Sequence, residues 1–572
     1  MKKLISLAAM TAAMAGGEAY AGSIHEYGHI VVIYQENHSF DNLYGLWGSV
    51  DGNQVNGLSF ADNAHTKQVR ADGVTPYSCL LQDDVNLTSP TPLAKTCTDN
   101  TGATSFDSAF ANAPFKIDDY IASADTTCPN PYGAFGTNGF LKGTGLAGGC
   151  TRDLAHRFYN EQYQLNGGRQ NRYVTGSDAA GLAMGYYDTT KLPLYKYLHE
   201  RRAPNYVIAD NFFQAAFGGS FLNHQWLIAA ASPVFANPVT DGGSNDLHSV
   251  VDANGMPTTT PLYSTTATGL RDKSLTAYCA GDSRKPAAFA PAPAGVVCGD
   301  YAVNTTQPWA WPYSPGTVDA ARLPPLTNPT IGDRLSDKGV TWAWFSGGWD
   351  NAEGNKSGLG WTNGNGATCS DPHANPQTVN GALRCPDKNF QYHHQAFNYF
   401  LKYAPGTAAR SEHLLDEAKF LDAAARGRLP QVSFVKPLGS DNEHPGYTDE
   451  TDGSSHLVKL VKAIVDGPNG HDTLIVIAYD EFGGAWDHVP PPSAANPIGP
   501  YDVWGPGTRI PAILISAKLT HSGVDHSAHD TTSILKLIEE RFRLAPLGSR
   551  DAAVKSLSTA LKDGRDNEHN HD

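Results

Sequence analysis

Two pairs of oxygen-bearing side chains stand almost directly after two short apolar runs of the chain. Glu36 and Asn37 follow the run HIVVIY, and Asp480 and Glu481 follow the run TLIVIA, each pair after one intervening residue. Carboxylate and amide oxygens are the ligands that hard divalent cations prefer, and Zn²⁺ also accepts carboxylates. The spacing therefore predicts one cation, Ca²⁺, Mg²⁺, Mn²⁺ or Zn²⁺, held by these four residues.

A competing interpretation makes the same residues parts of hydrogen-bonded helix caps and turns. For any single acidic residue, that role is the commoner one. Four such groups at the ends of two buried strands favour a metal, because clustered carboxylates repel one another and lose hydration when no cation is bound. The sequence therefore favours metal binding but does not choose the ion.

Ser220 follows two glycines in the stretch Gly218-Gly219-Ser220, shortly after the apolar run NYVIA. Glycines let the backbone turn sharply, and a hydroxyl at the start of a helix lies where anions bind favourably. A Gly-Gly-Ser stretch is more often only a turn, so on the residues alone both interpretations stay open. The chain contains no Gly-x-Ser-x-Gly motif, which argues against a serine esterase of the α/β-hydrolase type.

Three histidines stand in similarly polar surroundings. They are His156 in RDLAH, His394 in YHH and His444 in NEHP. A site that handles phosphate would use an imidazole to protonate the leaving oxygen. Because the chain has 21 histidines, each of these alone is more simply interpreted as structural.

The elements that would position these residues are strands alternating with helices. Six short runs, rich in β-branched residues and without clean alternation, have the pattern of strands covered on both faces of a parallel sheet. Helical patterns between them argue for a doubly wound, mostly parallel α/β sheet, in which ligands bind beyond the carboxyl ends of the strands. The predicted strands are 29–34, 205–209, 340–345, 431–435, 473–478 and 510–516, and the predicted helices are 194–201, 412–426, 456–465 and 533–544.

Composition excludes several classes of protein. The chain has 572 residues, of which 40% are hydrophobic and 17% charged, with a formal net charge of −15. Its apolar content excludes a disordered chain, and its 57 glycines and 37 prolines exclude a coiled coil. The acidic balance argues against nucleic-acid binding through bulk charge.

One large domain with insertions accounts for the length. We expect a single α/β domain over 22–565, with loop-rich insertions at about 50–150 and 232–385 and a polar tail at 566–572. Residues 1–21 have the positive start, short apolar run and small-residue cleavage site of a secretory signal peptide. No later segment is long and apolar enough to span a bilayer, so we expect a protein of the bacterial periplasm or exterior.

The cysteines agree with export. There are eight, none of them in a CxxC motif, and they fall into four neighbouring pairs separated by 18, 22, 19 and 16 residues. An even count in an exported protein indicates disulfides. The predicted bridges are Cys79–Cys97, Cys128–Cys150, Cys279–Cys298 and Cys369–Cys385.

Several of these stretches together resemble a bacterial phosphoesterase family. The stretches are ENHSFDN, the Gly-Gly-Ser-x-x-Asn turn, LPQVS, TLIVIAYDEFGGAWDHVPPP and DTTSIL before the last predicted helix. In this order they resemble the family of phospholipases C and acid phosphatases, over about residues 26–230 and 385–545. That family is similar in fold to the alkaline phosphatase superfamily, so the resemblance implies the same α/β architecture.

The resemblance also implies a role for each matching residue. Ser220 matches the nucleophile of the family. The matching metal ligands are Glu36, Asn37, Asp480 and Glu481. The residues that match other polar groups around the phosphate are His156, His394 and His444, as catalytic residues, and Asn223, as a substrate-binding residue. His224 and Asp530, in the same stretches, are also expected to bind substrate. Two stretches depart from the family pattern: His224 replaces an arginine, and the ending reads HDTTS instead of YDHTS.

The function implied by the resemblance is metal-assisted phosphoester hydrolysis. Ser220 would attack phosphorus and form a phosphoserine, and a protonated His156 or His444 would serve the leaving oxygen. The chain ends about 28 residues after the last predicted helix, too soon for the C-terminal modules of haemolytic phospholipases C. We therefore expect an acid phosphatase that acts on small phosphomonoesters.

Two alternatives stay open. One is a phospholipase C that cleaves phosphatidylcholine-type lipids and contacts lipid head groups or a membrane surface. The other, from a different class, is a secreted binding protein that uses a degenerate hydrolase fold without catalysis. The intact set of matching residues argues against this last interpretation.

Overall fold

The computed structural model describes most of the chain but not all of it. The described residues are 23–70, 72–82, 93–103, 105–129, 142–233, 325–353, 355 and 390–561, with the backbone of four short strands elsewhere. The predicted signal peptide, the polar tail and most of the predicted insertion at 232–385 lie outside them. The predicted bridges Cys279–Cys298 and Cys369–Cys385 lie outside them as well.

An eight-stranded sheet forms the centre of the fold. Its strands are β1 (His29–Gln35), β2 (Tyr206–Ala209), β3 (Trp342–Ser346), β4 (Leu414–Asp416), β5 (Val432–Lys436), β6 (Thr473–Tyr479), β7 (Ala512–Ile515) and β8 (Gly523–Asp525). Across the sheet the order is β4-β3-β5-β1-β6-β7-β2-β8. Only β7 runs against its neighbours, so the other strands of this sheet are all parallel.

Helices occupy the connections between these strands. They are α1 (Phe40–Tyr44), α2 (Asn63–Thr66), α3 (Phe158–Leu165), α4 (Pro193–Leu198), α5 (Ser220–Ala229), α6 (Ile331–Asp337), α7 (Trp349–Ala352), α8 (Ala408–His413), α9 (Glu417–Ala425), α10 (Glu450–Val465), α11 (Thr532–Phe542) and α12 (Ser549–Ala553). The helix α10 packs against α4 and α9, whereas α5 packs against α6 and α11. The central strands β1 and β6 are buried at nearly every position, which requires cover on both faces. The prediction of a doubly wound, mostly parallel α/β sheet is confirmed, and all six predicted strands are present.

One predicted element is wrong. The sequence predicts a single helix over 412–426, but the chain forms α8, then β4, then α9. Leu414 lies in register with Trp344 of β3, and Asp416 caps α9 by accepting a hydrogen bond from the Ala418 backbone N–H at 3.0 Å. Pairing with a strand that is distant in sequence overrides the local helical pattern. The edge strand β8, only three residues long, was also missed.

Two of the predicted disulfides are confirmed. Cys79 is bonded to Cys97 and Cys128 to Cys150, with Cα atoms 6.2 Å and 4.8 Å apart. Both lie in the loop-rich stretch before α3, where little regular structure is present to hold the chain. Among the described residues, no helix combines the length and apolarity needed to cross a bilayer.

Candidate active site and metal centre

The four predicted metal ligands meet at one edge of the sheet. The strands β1 and β6 are adjacent and parallel, so the residues that follow their carboxyl ends lie side by side. The backbone N–H of Asn37 donates a hydrogen bond to Asp480 Oδ1 at 3.1 Å. Each side chain of the four is buried, with at most 1% of its surface exposed. The structure thus brings Glu36, Asn37, Asp480 and Glu481 together.

Two carboxylate oxygens of this cluster face no donor. Asp480 Oδ2 and Glu481 Oε1 are buried and have no hydrogen-bond partner among the described residues. Burial, followed by the charge of Glu36, raises the pKa of Asp480 to about 8. Burial and the charge of Asp480 raise the pKa of Glu481 well above its usual value. Buried carboxylates that repel one another and lack donors fit a divalent cation, which supplies the missing positive charge.

A lysine that the sequence analysis missed neutralises Glu36. Lys436 ends β5, beside β1; its ammonium contacts Glu36 Oε1 and donates a hydrogen bond to the Gln35 carbonyl at 3.2 Å. His394 Nε2 lies 2.9 Å from the same oxygen of Glu36. Burial acts to raise the pKa of Glu36, but Lys436 and His394 hold it well below its usual value. The signal in the sequence was a single charged residue at the end of the run QVSFVK.

Ser220 is the first residue of α5 and lies against the cluster. Its Oγ is 3.2 Å from Glu36 Oε2 and 3.4 Å from Asn37 Oδ1. The turn before it needs glycine at position 218, where φ is +89° and a Cβ would lie 2.5 Å from the backbone nitrogen of Phe158. The start of a helix also favours negative charge. The structure therefore places the predicted nucleophile where a phosphate oxygen and a cation would both be close.

Two imidazoles border the cluster on the side of Asn37. Asn37 Nδ2 lies 3.0 Å from His444 Nε2 and 3.4 Å from His156 Nε2. Each ring donates from Nδ1 to a backbone carbonyl, His156 to Leu154 at 2.5 Å and His444 to Pro445 at 2.7 Å, so each Nε2 carries a lone pair. Burial lowers the pKa of both histidines, that of His444 to about 3. Their predicted role as proton donors to a leaving group stays a prediction.

His224 and Asn223 hold the first turn of α5. His224 Nδ1 donates to the Ser220 carbonyl at 2.7 Å, and the His224 ring stacks on His394 with centroids 5.5 Å apart. Asn223 Oδ1 accepts a hydrogen bond from the Ala216 backbone N–H, and its Nδ2 donates to the Ala216 carbonyl, both at 3.0 Å. These contacts shape the turn that carries the nucleophile. The predicted contacts of His224 and Asn223 with substrate stay predictions.

Asp530 makes its described contacts outside the carboxylate cluster. Its Oδ1 accepts a hydrogen bond from the Thr532 backbone N–H at 2.7 Å, and its Oδ2 pairs with Arg550 at 3.1 Å. Arg550 also donates to the Ala215 carbonyl at 3.0 Å. Asp530 therefore supports the chain before Ser220 through an arginine, and its predicted contact with substrate stays a prediction.

Glu161, on α3, anchors the same turn and was also missed. Its Oε2 accepts hydrogen bonds from the Gly218 backbone N–H at 2.5 Å and from Gln214 Nε2 at 2.9 Å. Its Oε1 accepts from the Thr508 backbone N–H at 2.6 Å and from the Thr508 hydroxyl at 2.8 Å. Burial raises the pKa of Glu161 to about 8, although the hydrogen bonds from Gly218 and Thr508 act to lower it. Its partners are distant in sequence, so the local pattern FYNEQYQL gives no sign of this role.

Glu161→Gln is expected to lower kcat by about 10- to 100-fold, because a small displacement of a reacting group has effects of this size. All four partners of the carboxylate are donors. An amide would therefore turn its own N–H groups toward two of them, at a cost of about 1–3 kcal/mol, and the turn before Ser220 would shift. Steady-state kinetics measure the effect.

The control is Gln162→Ala, the neighbouring position on α3, whose side-chain amide donates, among the described residues, to the Phe158 carbonyl alone. We expect this variant to keep its kcat. Both variants should keep their metal content, since neither side chain touches the predicted ligands. An unchanged kcat in Glu161→Gln would refute the positioning role of Glu161.

Comparison with known proteins agrees with this geometry. The model of the phosphoesterase family matches residues 27–545. Phospholipase C A of Mycobacterium tuberculosis is 23% identical over 572 residues, which covers 94% of this chain and 78% of that protein. Non-specific phospholipase C6 of Arabidopsis thaliana is 29% identical over 163 residues, which covers 24% of this chain and 31% of that protein.

A solved structure from the alkaline phosphatase superfamily, from Vibrio parahaemolyticus, is also similar. It is 10% identical with a TM-score of 0.22, covering 39% of this chain and 50% of that one. With so low a TM-score, this similarity does not support the fold. The order and directions of the strands do. The family match, by contrast, spans every strand of the central sheet. The protein is thus a hydrolase that acts on phosphoric ester bonds, and the chain belongs to the phosphoesterase family.

Proposed function

We propose that the protein hydrolyses phosphoesters through a covalent phosphoserine at Ser220, with one divalent cation bound beside it. The observation that carries this proposal is the position of Ser220 Oγ, 3.2 Å from Glu36 Oε2 and 3.4 Å from Asn37 Oδ1. The cation would be held by Glu36, Asn37, Asp480 and Glu481. When bound, it supplies a Lewis acid that lowers the pKa of the serine hydroxyl and neutralises phosphoryl charge.

The chain's own groups suit the two steps of such a reaction. First, the Ser220 oxygen bonds to phosphorus while the bond from phosphorus to the leaving alcohol oxygen breaks. The hydroxyl proton passes to solvent, because Lys436 and His394 hold the pKa of Glu36 too low for its carboxylate to keep a proton. In the substrate complex, His156 or His444 carries a proton on Nε2, because an anionic phosphate beside these rings raises their pKa. This proton passes to the leaving oxygen.

In the second step water attacks the phosphoserine. The bond between phosphorus and the Ser220 oxygen breaks, and phosphate or a phosphorylated head group leaves. A proton of the water returns to the histidine that served the leaving alcohol, and the Ser220 oxygen regains a proton from solvent. All groups are then restored for the next turnover.

Two substrate classes fit this chemistry. The sequence alone predicts small phosphomonoesters as substrates. The similarity to phospholipase C A, which extends over 94% of this chain, supports a phospholipid instead. We therefore favour a phospholipid as the main substrate and keep a phosphomonoester as the second candidate.

The metal-loaded protein is expected to release the phosphorylated head group from phosphatidylcholine with a higher kcat/KM than it shows on a chromogenic phosphomonoester. The same two assays on Ser220→Ala correct for contaminating activity. The reverse preference would contradict the phospholipid assignment and favour the acid phosphatase. Hydrolysis of neither substrate would contradict both substrate candidates.

We also infer that the protein acts in the periplasm or outside the cell, as the sequence predicts. The bridges Cys79–Cys97 and Cys128–Cys150 support this location. Structural disulfides form and persist in oxidising compartments and are rare in the cytosol.

A further inference from the structure

Exposed apolar side chains concentrate in one short segment. Of the seven large apolar side chains that are strongly exposed in the described part of the chain, three lie within six consecutive residues. Ile498 is 46% exposed, Tyr501 50% and Val503 59%. They belong to the segment 489–505, which we call the lip. Single exposed apolar residues are ordinary, but a local concentration marks an interaction surface.

The lip borders the candidate active site. It lies in the connection from β6 to the antiparallel β7, which leaves and re-enters the sheet at the edge that carries the metal cluster. The Trp504 carbonyl accepts a hydrogen bond at 2.7 Å from the backbone N–H of Phe217, three residues before Ser220. The Trp504 ring packs on Phe158, two residues after His156, with centroids 5.7 Å apart. The lip therefore touches the segments that carry the nucleophile and one of the imidazoles.

The lip is almost free of charge. Between His488 and Arg509 the one charged side chain is Asp502, which pairs with Arg550 at 2.6 Å. This surface can therefore leave water without exposing an uncompensated charge to an apolar phase. The chain as a whole has a net charge of −15, which disfavours an anionic surface. An uncharged apolar lip on an acidic protein fits a zwitterionic lipid surface.

The lip is also held in shape by its own sequence. It contains five prolines, which restrict its backbone, at positions 490, 491, 492, 497 and 500. Asn496 Nδ2 donates to the Pro490 carbonyl at 2.8 Å, which ties the two halves of the segment together. A preorganised surface loses little conformational entropy on binding. Tyr501 adds a ring with a polar tip, a side chain that is enriched where lipid meets water.

We propose that the lip docks the active site on a phosphatidylcholine surface, with Ile498, Tyr501 and Val503 entering the head-group region. This inference rests on the proposed function. It describes how Ser220 would reach a substrate that is held in a bilayer. Binding of this kind scales with the apolar area that leaves water. We therefore expect the three exposed side chains to make the contact with lipid. The charge of Asp502 is compensated by its ion pair with Arg550.

The test compares the wild-type protein with two double variants. Ile498→Ser with Val503→Ser removes two apolar side chains from the lip. Val74→Ser with Leu401→Ser is the matched control, because Val74 and Leu401 are 76% and 53% exposed in other parts of the chain. Cosedimentation with phosphatidylcholine vesicles measures lipid binding, and hydrolysis of a soluble chromogenic phosphomonoester measures the catalytic centre.

The wild type and the control are expected to bind the vesicles, and the lip variant to bind about tenfold more weakly or worse. All three should hydrolyse the soluble substrate at the same rate. A wild type that does not bind, or a lip variant that binds equally well, would overturn the proposal. So would light scattering that shows a wild-type dimer broken in the lip variant, since the lip would then be covered by a second copy.

A Ser220→Ala protein separates this inference from the proposed function. It should bind the vesicles as the wild type does, because Ser220 is 2% exposed and lies behind the lip rather than on it. Intact vesicle binding together with no hydrolysis by the wild type would refute the proposed chemistry and support the lip. Hydrolysis by the wild type without vesicle binding would support the proposed chemistry and refute the role of the lip.

Discussion

Ser220→Ala is expected to lower turnover on any phosphoester by about 10³-fold or more while the fold survives. The Ser220 hydroxyl is the attacking group in the proposed reaction, and among the described residues no other hydroxyl contacts both Glu36 and Asn37. The substitution removes one oxygen from a buried position at the start of α5. Circular dichroism and steady-state kinetics on the same preparation measure both effects.

Ser433→Ala is the matched control for this variant. Ser433 is buried on β5, and its Oγ has no hydrogen-bond partner among the described residues. The change is chemically identical and lies in the central sheet, away from Ser220, so we expect near wild-type activity. A Ser220→Ala protein with near wild-type turnover would contradict the proposed nucleophile.

Glu481→Gln is expected to lose the bound metal and, with it, about 100-fold or more of the activity. Glu481 supplies a buried oxygen, Oε1, that no donor satisfies in the described part of the chain. Its other oxygen, Oε2, accepts a hydrogen bond from the Gly483 backbone N–H at 2.7 Å, and a glutamine oxygen can keep this bond. The variant should therefore fold. Metal content by atomic emission and kcat/KM measure the result.

Metal removal gives a second readout for the same site. Chelation is expected to lower the Tm of the wild type, because a ligand that binds only the folded state stabilises it and the carboxylates of Asp480 and Glu481 then repel one another. The loss should be smaller in Glu481→Gln, which lacks one of these charges. Calorimetry with and without a chelator measures the difference.

Glu417→Gln provides the control for the metal variant. Glu417 is also a buried glutamate, but its Oε1 pairs with His456 at 2.8 Å, away from the metal cluster. We expect this variant to keep both metal and activity. A Glu481→Gln protein with full metal content and full activity would show that Glu481 is not a ligand.

The proximity of the four candidate metal ligands could be anticipated from the sequence because a general rule of sheet geometry applies to them. Residues after adjacent parallel strands share one edge, and β1 and β6 are such neighbours. Glu36 and Asp480 therefore lie at the same edge of the sheet, although they are far apart in sequence. To apply this rule, it is enough to recognise where two apolar runs end in the sequence.

Lys436 and Glu161 escaped the sequence analysis for two different reasons. Lys436 directly follows the predicted strand 431–435, but a single cation beside an apolar run does not indicate which carboxylate it will meet. Glu161 contacts Gly218 and Thr508 across the fold, and no local pattern encodes such contacts. In both cases the interacting groups belong to elements that are distant in sequence and become neighbours only when the chain folds.

The helix predicted over 412–426 failed for a related reason. Its residues are good helix formers, but Leu414 lies in an edge strand of the sheet, where it pairs with Trp344. Packing against a neighbouring strand outweighs a propensity difference of less than about 1 kcal/mol per residue. The disulfides Cys79–Cys97 and Cys128–Cys150 were predictable because their partners are near in sequence.

Trapping the covalent intermediate tests the central claim most directly. The metal-loaded wild type is mixed with a chromogenic phosphomonoester, quenched in acid within the first turnovers and digested for peptide mass analysis. We predict one phosphoryl group on Ser220 and none in the Ser220→Ala protein treated in the same way. A wild type that turns over substrate but carries the phosphoryl group on another residue, or on none, would contradict the account.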